Sequence, residues 1–144
     1  FYLITYKHAA HSSSITPADP YLMEIVKENF IEIGAEDAGS LGIENHDAVR
    51  LISPTSQQGI LGKARIRRSL RPGVIAVMHH FGHWQLGSKE STIDGKPEER
   101  DEERGKGVAS NPVMRLDTSI GNVCLQDKVS GSPAFYGKVK IVKG

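Results

Sequence analysis

Three stretches of this 144-residue chain concentrate side chains able to do chemistry. The first, Thr5-Tyr6-Lys7-His8-Ala9-Ala10-His11-Ser12-Ser13-Ser14, follows an apolar run. Hydroxyls, turn amides and one ammonium are the groups that hold a phosphate: N–H and O–H donate to its oxygens, and the cation offsets its charge. Ser-rich turns also form for local reasons, because their hydroxyls bond their own backbone. The second stretch, Met78-His79-His80-Phe81-Gly82-His83-Trp84, carries three histidines within five residues. His79 and His83 have the spacing of a zinc-protease helix, but the required glutamate beside the first is replaced by His80, and Gly82 after a strand disfavours that helix. A protein-held metal is therefore not expected. The plain reading of this stretch is that His80 and Trp84 close one end of a core. The third, Ala109-Ser110-Asn111-Pro112, is by itself a turn signal.

The elements that position these stretches are legible between them. Residues 29–33 alternate apolar and polar, as a half-buried strand does. Residues 35–41 form two helical turns, with Glu36 and Asp37 near the positive N-terminal end and Gly42 as a left-handed stop. Strands follow at 47–53 and 60–67, joined by a turn at 54–59. Arg71-Pro72-Gly73 then forces a turn before a very apolar strand at 74–78. Residues 1–6 and 135–143 read as further strands, and 19–27 as a short helical stretch. Strands this short, joined this tightly, have to curl into a small barrel.

Composition narrows the function classes. A net charge of +1 gives no electrostatic argument for nucleic acid or an anionic membrane. The lone Cys124 excludes an internal disulfide, and no cysteine cluster exists for an iron–sulfur centre. No apolar run approaches the roughly 18–20 residues that span a bilayer. The mixed charges at 98–104 read as a solvated loop, and Arg65, Arg67, Arg68 and Arg71 as the outward face of a strand. Because the chain opens on Phe1 within an apolar strand, it is expected to be a piece of a larger polypeptide whose own end lies at 142–144.

The segments IEIGAEDAGSLGIENHDAVRLISPTSQQGILGKARI and RPGVIAV closely resemble the C-terminal, cofactor-binding domain of the molybdopterin oxidoreductases of the dimethyl sulfoxide reductase superfamily. His46 stands where that family usually has glycine. The resemblance extends over nearly the whole chain and implies a mainly β fold. The expected form is a six-stranded double-psi β-barrel (aspartate decarboxylase-like) with a few short helices, residues 1–144 forming one domain. It also implies that the first stretch grips a pterin guanine dinucleotide. The family pattern there is Thr-Gly-Arg, then His and Ser/Thr, matched by Thr5, Lys7, His11 and Ser14, with His8, Ser12 and Ser13 in the same segment. Tyr6 replaces the frequent Gly, and Lys7 the frequent Arg, whose two-pronged contact a lysine cannot make.

Phe81-Gly82-His83-Trp84 looks like the family loop that runs beneath the pterin. The resemblance assigns close backbone approach to Gly82, hydrogen bonds with ring heteroatoms to His83 and packing to Trp84, with His80 alongside. Asn111 matches an amide that contacts the cofactor, with Val113, Leu116 and Asp117 keeping the outline, and Tyr136 is a further contact by position. The implied cofactor is a molybdenum (or tungsten) bis-molybdopterin guanine dinucleotide shared with other domains, its metal ligand lying outside this chain. Cys124 then reads as a small buried residue. Implied partners are the remaining domains of the same subunit, an iron–sulfur electron-transfer subunit and a membrane anchor, with no nucleic acid. The parent is expected to be exported and membrane-associated through those subunits.

The phrases AHSSSITPADPYLMEI and HHFGHW are most similar to reductases of sulfur oxyanions or polysulfide. Tetrathionate reductase large subunits come first, then thiosulfate and polysulfide reductases, with arsenate reductases close behind. Alone, this chain is expected to be catalytically inert. Two rivals remain: a double-psi barrel serving only as an interaction module, and a small stand-alone subunit like that of formylmethanofuran dehydrogenases.

Overall fold

The computed structural model of the chain describes residues 1–83, 90–98, 100–121, 123–127, 129–134 and 136–144. Its elements run β1 (Tyr2–Tyr6), α1 (Pro20–Ile25), β2 (Ile31–Gly34), α2 (Ala35–Leu41), β3 (Ala48–Ser53), β4 (Ser56–Arg67) and β5 (Val74–Met78). A long excursion follows, holding two small hairpins, β6 (Ser91–Ile93) with β7 (Lys96–Glu98) and β8 (Leu116–Asp117) with β9 (Val123–Cys124). The chain closes with β10 (Tyr136–Lys138) and β11 (Lys140–Lys143). Among the described residues, no helix is long and apolar enough to cross a membrane.

The main sheet has seven strands in the order β10-β1-β5-β2-β4-β3-β11. Its two outermost strands are separated in sequence by Val139 alone. A flat sheet cannot bring its edges within one residue, so this sheet curls into a half-barrel. Val139 N donates to Phe1 O and the Phe1 amino group donates to Val139 O, both at 2.9 Å, sealing that end. The single strand expected at 135–143 is thus two strands, because the segment leaves β1 at Lys138 and joins β3 from Lys140 onward. Six stretches of chain make seven strands. The pairs β1/β5 and β2/β4 are parallel, and the other neighbours are antiparallel.

Alternation decides what enters the core. Leu3, Ile31, Ile33, Val49, Leu51, Ile75 and Val77 are fully enclosed, each worth roughly 1.5–3 kcal/mol on burial. Met23, Met78 and Phe81 form a smaller cluster against Tyr6 and Val26. Asp19 caps α1, accepting from Tyr21 N at 2.9 Å, and Pro20 fills a first-turn position that needs no donor. Helix α2 and its stop match expectation, Gly42 having φ 63°. Asp37 on α2 accepts from Gly73 N at 2.8 Å and so fixes the turn before β5.

Other boundaries shift. β4 begins at Ser56, which shortens the expected 54–59 turn, and β2 begins at Ile31 rather than residue 29. The arginines of β4 are engaged rather than free. Arg65 stacks over Phe30 at 3.6 Å, and Arg67 pairs with the buried carboxylate of Glu32 at 2.6 Å. His46, in the place of the family glycine, adopts φ 69°, the backbone that explains a glycine there.

Candidate functional site

β1 and β5 are parallel neighbours with Tyr6 opposite Met78, so the chain leaves both at the same rim. His79 N donates to Tyr6 O at 2.9 Å and holds the two exits together. Between the loops that follow lies an open cleft of about 390 Å³. Lys7 and residues 12–14 line it from the first loop, residues 78–81 and His83 from the second, and residues 108–111 from a third segment. The three stretches singled out for chemistry, distant in sequence, therefore meet. No Asp or Glu is among the described lining residues; one ammonium, serine hydroxyls, imidazoles and an amide are. Such a wall favours an anion.

Gly82 lets the second and third walls touch. At φ 73° it sits where a Cβ would overlap the Ala109 amide nitrogen and lie 2.7 Å from Val108 Cα. Its N–H donates to Lys106 O at 3.0 Å. A second hollow of about 380 Å³, with Ile60, Leu61 and Pro112 in its wall, opens beyond this crossing. His83 and Asn111 line both hollows and so stand on the ridge between them.

His80 carries the strain of the second loop. It is 6% exposed, has φ 91°, and its Nε2 is buried without a hydrogen-bond partner among the described residues. A hydrogen bond with the Ser13 backbone ties it to the first loop. Burial, then the imidazoles of His79 and His11, hold its pKa below the usual histidine value. Burial and the Lys7 ammonium do the same for His79. Both rings thus favour the neutral form unless an anion offsets their charge.

The first loop owes its shape to His11, which is 3% exposed and spends both ring nitrogens internally. Nε2 donates to Val26 O at 3.1 Å, Nδ1 lies 3.1 Å from Thr16 Oγ1, and the ring packs edge-on to Phe81. His11 therefore builds the loop instead of facing the cleft. His8 Nδ1 accepts from Ala10 N at 3.1 Å, and Thr5 lies on β1 opposite Val77; neither is in the lining. Tyr136 sits on β10 beside Ile4 and lines a different, mostly apolar hollow with Tyr2, Val113 and Leu116. A larger hollow of about 670 Å³ lies at the opposite end of β1 and β5, around Phe1, Arg71 and Val74, away from the polar loops. Trp84 lies outside the described residues.

Sequence reasoning passed over two residues here. His79, weighed only as a metal ligand, lines the cleft. Asn29, read as the first residue of a strand, is 2% exposed and reaches Met78 and Val108. A polar amide between a charged turn and an apolar strand was the only local signal, and it does not reveal partners this remote.

The chain matches the family described as Molydopterin dinucleotide binding domain over residues 1–135. It is 32% identical, over 94% of its length, to a selenate reductase subunit of Mesobacillus selenatarsenatis, covering 14% of that protein. Over the same share it is 31% identical to a tetrathionate reductase subunit of Salmonella typhimurium, covering 13% of it. It is also 24% identical to the arsenate respiratory reductase molybdopterin-containing subunit of a Shewanella species, over 82% of this chain and 12% of that protein. Among solved structures, acetylene hydratase from Pelobacter acetylenicus superposes with a TM-score of 0.67 over 99% of this chain and 18% of that one. At 14% identity this is a likeness of fold. The chain spans about a seventh of the length of these selenate and tetrathionate reductase subunits.

Proposed function

This chain belongs to the molybdopterin dinucleotide binding domains of the dimethyl sulfoxide reductase superfamily, and from that premise we propose that its rim cleft holds part of a bis-molybdopterin guanine dinucleotide carrying molybdenum. One observation supports the reading above the rest: three polar loops from distant parts of the chain converge on a cleft with no carboxylate among its described lining residues. The residues fit the group. Lys7 and the donors of Ser12, Ser13 and Ser14 suit a pyrophosphate. His83 and Asn111, on the ridge between two hollows, suit the edge of a heterocycle, and Gly82 lets residues 108–109 pack closely enough against the second loop to form that ridge. His80, strained and incompletely hydrogen-bonded, is where loop geometry answers to the site rather than to folding.

When bound, the cofactor supplies two-electron chemistry at its metal. The chain's own residues bind and orient it. Lys7 offsets phosphate charge, the serine hydroxyls fix the phosphate oxygens, and Asn111 and His83 set the ring edge. We read the curled sheet, with its two parallel pairs, as the double-psi barrel of this superfamily, and residues 1–144 as a single domain of a larger oxidoreductase subunit. That subunit reduces an oxyanion, with tetrathionate placed first beside selenate and arsenate. It works with an iron–sulfur subunit and a membrane anchor, outside the cytoplasm.

The test is the double variant His83→Ala/Asn111→Ala in the complete subunit, with bound molybdenum and turnover measured together. Both should fall at least tenfold. Normal values for both would remove these contacts from the site.

A further inference from the structure

The third wall of the cleft, residues 108–111, belongs to no strand of the main sheet, yet it is held against the sheet's rim. The holder is Asn29. Its Nδ2 donates to Met78 O at 2.6 Å and to Val108 O at 2.8 Å, while its Oδ1 accepts from Val108 N at 2.7 Å. The side-chain amide thus meets Val108 as a neighbouring peptide would in a β-ladder, and bonds the end of β5 as well. Gly107 makes room: at φ 87°, a Cβ there would overlap Asn29 Oδ1 and come 2.9 Å from Phe81 Cβ.

We infer that Asn29 is a positioning residue that sets the cleft's shape, clamping the second and third walls so that His83 and Asn111 present one ridge. The inference rests on the cleft being the dinucleotide site. Its physical ground is that a buried amide committed to three backbone groups is costly to replace. Removing it strands two carbonyls and one N–H away from water, and residues 106–110 regain solvent for them by leaving the rim. Asn111 goes with them.

The experiment uses the full-length subunit with Asn29→Asp and Asn29→Ser. Asp keeps an acceptor for Val108 N but turns an oxygen toward two carbonyls; Ser is the milder change should Asp not accumulate. Hydrogen exchange at Val108 should quicken at least tenfold while the amides of β2 and β5 keep their protection. Molybdenum retained after incubation and gel filtration should decay at least tenfold faster than in the wild type. Val49→Ala, a core truncation elsewhere in the sheet, serves as the control for general destabilisation and should change retention less than twofold. Asn29 variants that hold molybdenum like the wild type, or lose it no faster than Val49→Ala at equal loss of melting temperature, overturn the inference. So does a wild-type Val108 amide that exchanges freely. His83→Ala/Asn111→Ala separates the two ideas. Loss of molybdenum there with retention in the Asn29 variants removes only the clamp, whereas retention in both sets removes the cleft as well.

Discussion

Two turns of this molecule hold a histidine in left-handed backbone, His46 at φ 69° and His80 at φ 91°, and they differ in everything else. His46 is exposed on the turn before β3. Its N–H donates to Ala64 O at 2.8 Å, and its ring meets Phe30 edge-on at 5.7 Å. Phe30 also carries the Arg65 guanidinium. The strain of that turn is local and is offset where it arises. His80 is buried, keeps a nitrogen unpartnered among the described residues and sits among His79, His11 and the Lys7 loop. Among the described residues of its own loop, none compensates it. Strain of order 1–3 kcal/mol persists only where surrounding structure imposes it, and around His80 that structure is the cleft.

The sharpest way to break this contrast is Gly82→Ala. The added methyl would overlap the Ala109 amide in a backbone region alanine avoids, so the two walls must part. We expect a loss of about 3 kcal/mol in denaturant melts and loss of bound molybdenum in the full-length subunit. An unchanged melt would mean that the crossing of residues 82 and 108–109 is not tight. Gly39→Ala is the matched control. A methyl on Gly39 would meet nothing within 4 Å, and the residue lies inside α2, so alanine there should stabilise by about 0.5–1 kcal/mol.

The pH dependence of the apo chain should report the His80 loop. Burial lowers the pKa of both His79 and His80, helped by Lys7 for the first and by neighbouring imidazoles for the second. The unfolded chain therefore takes up protons first as pH falls through about 6.5, so these groups leave stability intact above that value and erode it below, down to the folded-state pKa values. Urea melts between pH 5 and 8 should show this slope, and His80→Gln should flatten it. A bound anion reverses the electrostatics, so the cofactor-loaded subunit should show less loss at low pH. Identical slopes with and without cofactor would separate these rings from the ligand.

Much of this frame could be read from residue order. The 35–41 helix, its Gly42 stop and the apolar 74–78 strand all follow from local rules, and the structure keeps them. Lys7, Ser12, Ser13 and Ser14 were named for their chemistry and Gly82, His83 and Asn111 from the family resemblance, and they line one cleft or the hollow beside it, the first two loops meeting because β1 and β5 end together. What residue order did not carry was non-local placement. His11 has the right type for a ligand, but its partners Thr16 and Val26 turn it inward. Tyr136 falls in another hollow because the last segment divides at Val139 to serve both sheet edges. Asn29 gave no sign of bonding a residue 79 positions away.

Glycine substitution at the two histidines makes the comparison quantitative, with the smallest effect at His46. His80→Gly removes the strain but also the tie to Ser13 and the packed ring, so it should lower molybdenum content several-fold without a matching gain in stability. His46→Gly removes roughly 1–2 kcal/mol of left-handed strain and adds about 0.5–1 kcal/mol of unfolded-chain entropy. It also gives up one edge contact to a Phe30 ring that Arg65 still covers. The backbone bond to Ala64 survives, since it needs no side chain. The net change should therefore stay below about 1 kcal/mol in a thermal melt, with cofactor content untouched because His46 lines neither hollow at the rim. A His46→Gly subunit that loses molybdenum, or a His80→Gly subunit that gains stability and keeps it, would show that the two strained turns serve the same purpose after all.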